Sequence, residues 1–227
     1  MTSDNCKTAG EVLSGGDWER MLAEFEALGV DDDSQEAAGA APVARYIDRV
    51  PPFQVDGVHP QVLEAREQVR QFTRAVLRKS CAPYSLALLG GSGCGKTHLA
   101  KLAQATLLDA GVGCQLWTWG EVLEAYREER GDMLRQLEGA RVLMLDDIGA
   151  EFLGTEKATE FSLAKLCCML DTRAGRWTLL TSNMLLHQVA KLDERCASRL
   201  LRNGGRVCQL DLASDYALAQ YMKNKKP

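Results

Sequence analysis

A glycine-rich loop set between an apolar strand and a helix constrains this chain more than any other feature. Gly90-Gly91-Ser92-Gly93-Cys94-Gly95-Lys96-Thr97 fits the pattern G-x-x-x-x-G-K-[ST], and His98 follows directly. Glycines at these positions let the backbone curl until successive N–H groups point at phosphate oxygens. They do so at the mouth of a helix whose dipole also favours an anion. Lys96 is then placed to reach the β- and γ-phosphates and Thr97 to ligate Mg²⁺. The flanks argue against a mere flexible glycine loop. Ser85-Leu86-Ala87-Leu88-Leu89 reads as a buried strand and His98 to Ala110 as a helix. The pattern implies a bound nucleoside triphosphate, with ATP and Mg²⁺ as the expected pair.

Composition narrows the class without naming it. A length of 227 residues leaves room for one α/β domain and an appendage. Hydrophobic content of 46% and charged content of 26% are ordinary for a globular protein. No apolar run approaches the roughly eighteen residues that span a bilayer. The N-terminus shows no positive region followed by an apolar one, so a cytoplasmic location is expected. Eight cysteines include no C-x-x-C pair, and three histidines supply no zinc-site spacing. They read as small, reduced hydrophobes. The net charge of −4 conceals an asymmetry: residues 1–48 hold eleven acidic and three basic side chains, leaving residues 49–227 net positive. A mildly basic module is compatible with nucleic-acid contact, though it is weak evidence for it.

The chain divides accordingly into an acidic arm, residues 1–48, and a domain, residues 49–227. In the arm, Trp18, Met21, Leu22, Phe25 and Leu28 fall on one face of a short amphipathic helix that Gly29 ends. A stretch from Asp31 to Ala41, rich in Asp, Ala, Gly and Ser, reads as a linker. The helix either docks on a partner or packs on its own domain. Past Pro51 the pattern alternates. Helices are expected at His59–Lys79, Leu99–Ala110, Glu121–Arg130, Glu156–Thr172, Leu185–Ala190 and Asp193–Leu201. Strands are expected at Leu86–Leu89, Cys114–Thr118, Arg141–Leu145, Trp177–Thr181 and Arg206–Leu210. That alternation predicts a parallel sheet covered on both faces.

Three further segments carry chemistry. Val142-Leu143-Met144-Leu145 runs into Asp146-Asp147-Ile148-Gly149. One carboxylate, Asp146, suits the metal, and Asp147 suits orientation and deprotonation of a lytic water. A plainer reading, in which Asp147 only caps a turn, stays open at this point. Thr181-Ser182-Asn183 ends a strand, so Asn183 can meet the γ-phosphate or the water, although Thr-Ser-Asn is also an ordinary turn sequence. In Glu194-Arg195-Cys196-Ala197-Ser198-Arg199-Leu200, Arg195 and Arg199 lie four apart on one helix face. Surface arginines at this spacing are commonly just solvated. Beside the loop and the carboxylates, they read as a finger for a neighbour's nucleotide, which requires a homo-oligomer.

With these segments assembled, residues from about Val50 to Tyr216 resemble the DnaC/IstB family of AAA+ ATPases, the bacterial helicase loaders and transposition helper ATPases. The resemblance rests on Pro51-Pro52-Phe53, Gly95-Lys96-Thr97-His98-Leu99-Ala100, Asp146-Asp147-Ile148-Gly149, Thr181-Ser182-Asn183 and Ser198-Arg199-Leu200. It implies an α/β P-loop NTPase (AAA+) fold, a parallel sheet flanked by helices, here with a short helical N-terminal arm. It further implies ATP hydrolysis, a trans-acting finger at Arg199 and a sensor at Asn183. The implied partners are a replicative helicase or a transposase, single-stranded DNA and further copies of the chain. One departure stands out: Asp215-Tyr216 is followed by Ala217 where the family usually has an arginine on the γ-phosphate. A nucleotide-binding adaptor with little hydrolysis is therefore a competing expectation. A small-molecule kinase is a weaker one, because it leaves Asp147, Asn183 and Arg199 without work.

Overall fold

Five apolar runs form a single parallel sheet in the computed structural model, which describes residues 59–78, 82–149, 156–213 and 215. The strands are β1 (Ser85–Gly90), β2 (Cys114–Thr118), β3 (Val142–Ile148), β4 (Trp177–Ser182) and β5 (Arg206–Leu210). Their spatial order is β2-β3-β4-β1-β5, with every pairing parallel. Helices connect them: α1 (Pro60–Arg78), α2 (Lys96–Asp109), α3 (Trp119–Arg127), α4 (Gly131–Gly139), α5 (Glu156–Thr172), α6 (Leu186–Leu192) and α7 (Glu194–Leu201).

The strands are apolar without interruption because both faces of the sheet are covered. Successive residues point into alternate cores, as a two-residue period demands. Leu86, Leu88, Met144 and Leu179 face α1 and α2. Ala87, Leu89, Leu143, Leu145 and Leu180 face α3, α5 and α7. On the first face Phe72, Tyr84 and Trp177 meet edge to face, with ring centroids 5.1–5.6 Å apart. On the second, the fully buried Trp119 opens α3 and donates its indole N–H to Ser162 Oγ at 2.8 Å.

The expected alternating parallel fold is the one observed, with two corrections. The segment after α3 contains a further helix, α4, that the sequence reading left unassigned. It has a glycine at each end, no side-chain N-cap and one buried residue, Leu137. Its carbonyl end is held from outside by Arg173, whose guanidinium donates to the carbonyls of Leu137, Glu138 and Ala140. The second correction concerns the cysteines. Cys167 on α5 and Cys196 on α7 are joined as a disulfide, their Cα atoms 5.3 Å apart, where all cysteines were expected to be reduced. The pairing follows from packing of the two helices, which no local spacing reveals. Cys94, Cys114, Cys168 and Cys208 are free, and burial pushes the Cys114 thiol up to about 12 and the Cys208 thiol to about 11.

Among the described residues no helix is long and apolar enough to cross a membrane. The arm, the helix expected at residues 17–28, the expected linker, Pro51-Pro52-Phe53, Tyr216, Ala217, Cys6 and Cys81 lie outside the described residues.

Candidate nucleotide site

The strand order places the site. β1 lies between β4 and β5, and the chain leaves its end to build the far edge at β2 before returning. Ligands of open parallel sheets bind at such a reversal, beyond the carboxyl ends of the strands. There the loop Gly91–Gly95 turns from β1 into α2. Gly95 caps α2 in the left-handed region with φ 95°, a conformation that costs glycine least. Gly93 also has positive φ, 74°, and a Cβ there would come within 2.1 Å of an Asp215 carboxylate oxygen. The positive φ makes any side chain at that position strained, whatever room Asp215 leaves.

Beside this loop is a cleft of about 620 Å³ lined by Ser92, Gly93, Gly95, Lys96, Thr97, His98, Lys101, Thr118, Asp146, Asp147 and Asn183. Nine of the eleven are residues that the sequence singled out, drawn from the loop, the end of β3 and the end of β4. Gly90 and Gly91 do not line it, but their carbonyls accept Lys96 Nζ at 2.9 and 2.6 Å. Cys94 turns its thiol inward, donating to the Gly91 carbonyl at 3.0 Å, so only its backbone belongs to the anion cradle. Lys101 and Thr118 were missed by the sequence reading. Lys101 follows Thr97 by one helical turn, and Thr118 ends β2 while forming a capping box with Glu121. Helical spacing from Thr97 was the signal available for Lys101.

The two carboxylates reach the same cleft through a bulge. β3 and β4 pair Leu145 with Leu180 and then Ile148 with Ser182, so Asp146 and Asp147 together oppose Thr181 alone. In a regular strand neighbouring side chains point to opposite faces. The bulge cancels that alternation and brings both acids into the cleft wall. It also forces Asp147 to φ 60°, a conformation costly for a non-glycine residue and concentrated at functional sites. Asp146 is buried and Asp147 exposed.

A hydrogen-bond network spans the site. Thr97 Oγ1 donates to Asp146 Oδ1 at 2.9 Å, and Thr181 Oγ1 donates to the same oxygen. Lys96 Nζ donates to Asn183 Oδ1 at 3.0 Å, and Asn183 Nδ2 to Asp147 Oδ1 at 2.6 Å. The carbonyl and amide oxygens bound by Lys96 are neutral, so a phosphate offers that ammonium a stronger acceptor. The hydroxyl of Thr97 and the carboxylate of Asp146 stand side by side. Both are the hard oxygen donors that Mg²⁺ takes, with water and phosphate completing its shell, so the residues present fit that ion. Burial, then the nearby Lys101, holds the His98 imidazolium below its ordinary range, so the ring is neutral near pH 7.

Arg199 is elsewhere. It lies at the start of β4, in a recess with Arg173, Arg176, Thr178 and Arg202, whereas Asn183 follows the strand's other end. A six-residue strand spans about 20 Å, so Arg199 does not meet its own cleft. Its Nε donates to Asp171 Oδ1 at 2.7 Å, and that bond holds the Asp171 carboxyl below its usual range. Arg195 is tied to the α7 N-cap, Asp193, through Nε at 3.0 Å and a second nitrogen at 2.8 Å.

A central strand feeding a phosphate loop, acids on the next strand but one, and this strand order give the chain the fold seen in P-loop proteins of the AAA+ type. No family profile matches the chain. Phage-like element PBSX protein XkdC of Bacillus subtilis (strain 168) is 25% identical over 158 residues, 65% of this chain and 58% of that protein. A second Bacillus subtilis protein, the uncharacterised YqaM, is 24% identical over 155 residues, 65% of this chain and 50% of its own length. The chain thus spans between half and three-fifths of the curated relatives it matches.

Solved structures share the fold. DnaI aligns with a TM-score of 0.54 at 22% identity, over 73% of this chain and 90% of that one. The DnaC helicase loader aligns at 0.54 and 19% identity, over 73% and 98%. A DnaA initiator bound to AMPPCP and single-stranded DNA aligns at 0.51 and 17%, over 75% and 56%. The likeness to the DnaC/IstB ATPases read from the motifs extends to the fold.

Proposed function

We propose that this chain is an ATP-driven AAA+ protein acting in DNA replication as a loader of the replicative helicase. Residues 49–227 bind Mg-ATP through Gly90–His98, with Thr97 and Asp146 on the metal. Asp147 and Asn183 position and deprotonate the water, and Arg199 completes the site of a neighbouring copy. The arm, residues 1–48, engages the helicase, and the basic module contacts single-stranded DNA. One observation carries the reading. The nucleotide cleft and Arg199 sit at opposite ends of the sheet, so a finger on α7 can serve only a second subunit. The fold shared with DnaI and with the DnaC helicase loader, and with a DnaA that holds AMPPCP and single-stranded DNA, supports it.

Steady-state ATP turnover with and without single-stranded DNA and purified helicase tests the reading. Turnover that changes on adding either, and vanishes in Lys96→Ala, is expected. ATP bound without turnover under every condition would leave the adaptor in place of the loader. Selective capture of a transposase would move the reading to a transposition helper.

A further inference from the structure

Thr181 had no role in the sequence beyond being the strand residue before Ser182-Asn183, yet it is the hinge pin of the two-acid bulge. It is the single residue opposite Asp146 and Asp147, and its side chain is almost fully buried, with 1% of the residue exposed. A threonine hydroxyl has one proton to give and lone pairs to accept with. Here the proton goes to Asp146 Oδ1, and a lone pair accepts the backbone N–H of Asp147 at 2.9 Å. Asp146 Oδ1 therefore receives two hydroxyls, Thr97 from the phosphate loop and Thr181 from β4.

We infer that Thr181 is a positioning residue for the metal and the general base at once. It fixes the rotamer of the Asp146 carboxylate beside Thr97. Through the Asp147 amide it holds the left-handed backbone that aims the Asp147 carboxylate at Asn183. Without the hydroxyl, Asp146 is free to rotate away from Thr97. The Asp147 amide then loses its acceptor, and one restraint on a strained residue is gone. Outer-shell partners of metal ligands act in this way on metal affinity, by about 10- to 100-fold. The inference rests on the proposed Mg-ATP site and adds a residue to it.

The test compares full-length wild type with Thr181→Val, which keeps the shape and removes the hydroxyl, and Thr181→Ser, which keeps the hydroxyl. Binding of a fluorescent ATP analogue is titrated against Mg²⁺, and Mn²⁺ binding in the presence of nucleotide is followed by electron paramagnetic resonance. Thr181→Val is expected to raise the metal concentration for half-saturation about 10-fold or more. Its nucleotide affinity in EDTA should stay unchanged, and Thr181→Ser should follow wild type. A purely structural threonine would lower thermal stability in Val without moving the metal titration, and that result overturns the inference. If Val does not fold, Thr181→Ala against Thr181→Ser makes the same comparison of hydroxyl present or absent. Wild type that binds no nucleotide defeats the ATPase reading itself. Wild type that binds with a metal dependence shared by Val defeats only the role given to Thr181.

Discussion

The two ends of the sheet carry comparable polar chemistry and use it differently. At the carboxyl ends of the strands, Lys96, Asn183, Asp147, Asp146 and Thr97 bond to one another around an open cleft, on a backbone bent by a bulge and by left-handed residues. At the amino ends, Arg173 is almost wholly buried, and its donors go to carbonyls of α4, Ala140 and Trp177 and to Thr178. Burial lowers its guanidinium to about 10, and no carboxylate pairs with it in the bonds described. One end holds groups that a ligand can recruit. The other spends a buried charge on closing a helix and tying it to β4. Arg199, at the same end, is the exception, since its partner Asp171 is an exposed carboxylate that solvent screens. Saturation of donors, rather than the number of charges, separates the scaffold from the site.

The largest effect should fall on turnover at the open end. Asp147→Asn is expected to keep Mg-ATP binding and cut turnover by about 10²- to 10⁴-fold, the range for a general base. Asp146→Asn should instead weaken the Mg²⁺-dependent part of binding. Calorimetric titration beside steady-state kinetics checks both, and identical behaviour of the two variants would erase the division of labour between them.

At the saturated end the expected loss is stability. Arg173→Ala leaves several carbonyls of the α4 end without a donor, a cost of about 3 kcal/mol. Urea unfolding should show it, and nucleotide affinity in the folded protein should be unaltered. Weaker ATP binding at undiminished stability would mean that the two ends are coupled. The smallest effect concerns pH. Because the folded state disfavours the His98 imidazolium, the unfolded chain takes up that proton first as pH falls through the ordinary histidine range near 6.5. His98 thus contributes stability that is present above that range and lost below it. His98→Gln should remove this slope, worth less than about 1 kcal/mol or ~2–4 °C in Tm for a half-exposed ring. An unchanged melting profile between pH 5 and 8 would assign the acid sensitivity to other groups.

Much of the fold was legible because its signals are local. Cys114–Thr118, Glu156–Thr172 and Arg206–Leu210 have the bounds expected of them, since each apolar run is closed by polar or turn residues. Gly131–Gly139 escaped because its ends are glycines and its C-terminal cap arrives from Arg173, over thirty residues away. The phosphate loop and the acids were readable as motifs. Thr181 and the Cys167–Cys196 pair were not, for a shared reason. The first acts through a register shift between β3 and β4, the second through packing of α5 on α7, and neither leaves a trace in spacing along the chain.

The claim that two ends of two copies make one catalytic site is tested most directly by mixing inactive proteins. Arg199→Ala should bind ATP and hydrolyse it about 10³-fold more slowly or worse. Lys96→Ala should lose ATP affinity by at least about 10-fold, because a charge-assisted bond contributes about 1.5–3 kcal/mol. In a mixed assembly some interfaces pair the intact phosphate loop of the first with the intact Arg199 of the second. ATP turnover should return on mixing and pass through a maximum with the ratio of the two. If both variants fold and co-assemble and no turnover returns at any ratio, the site between subunits is contradicted.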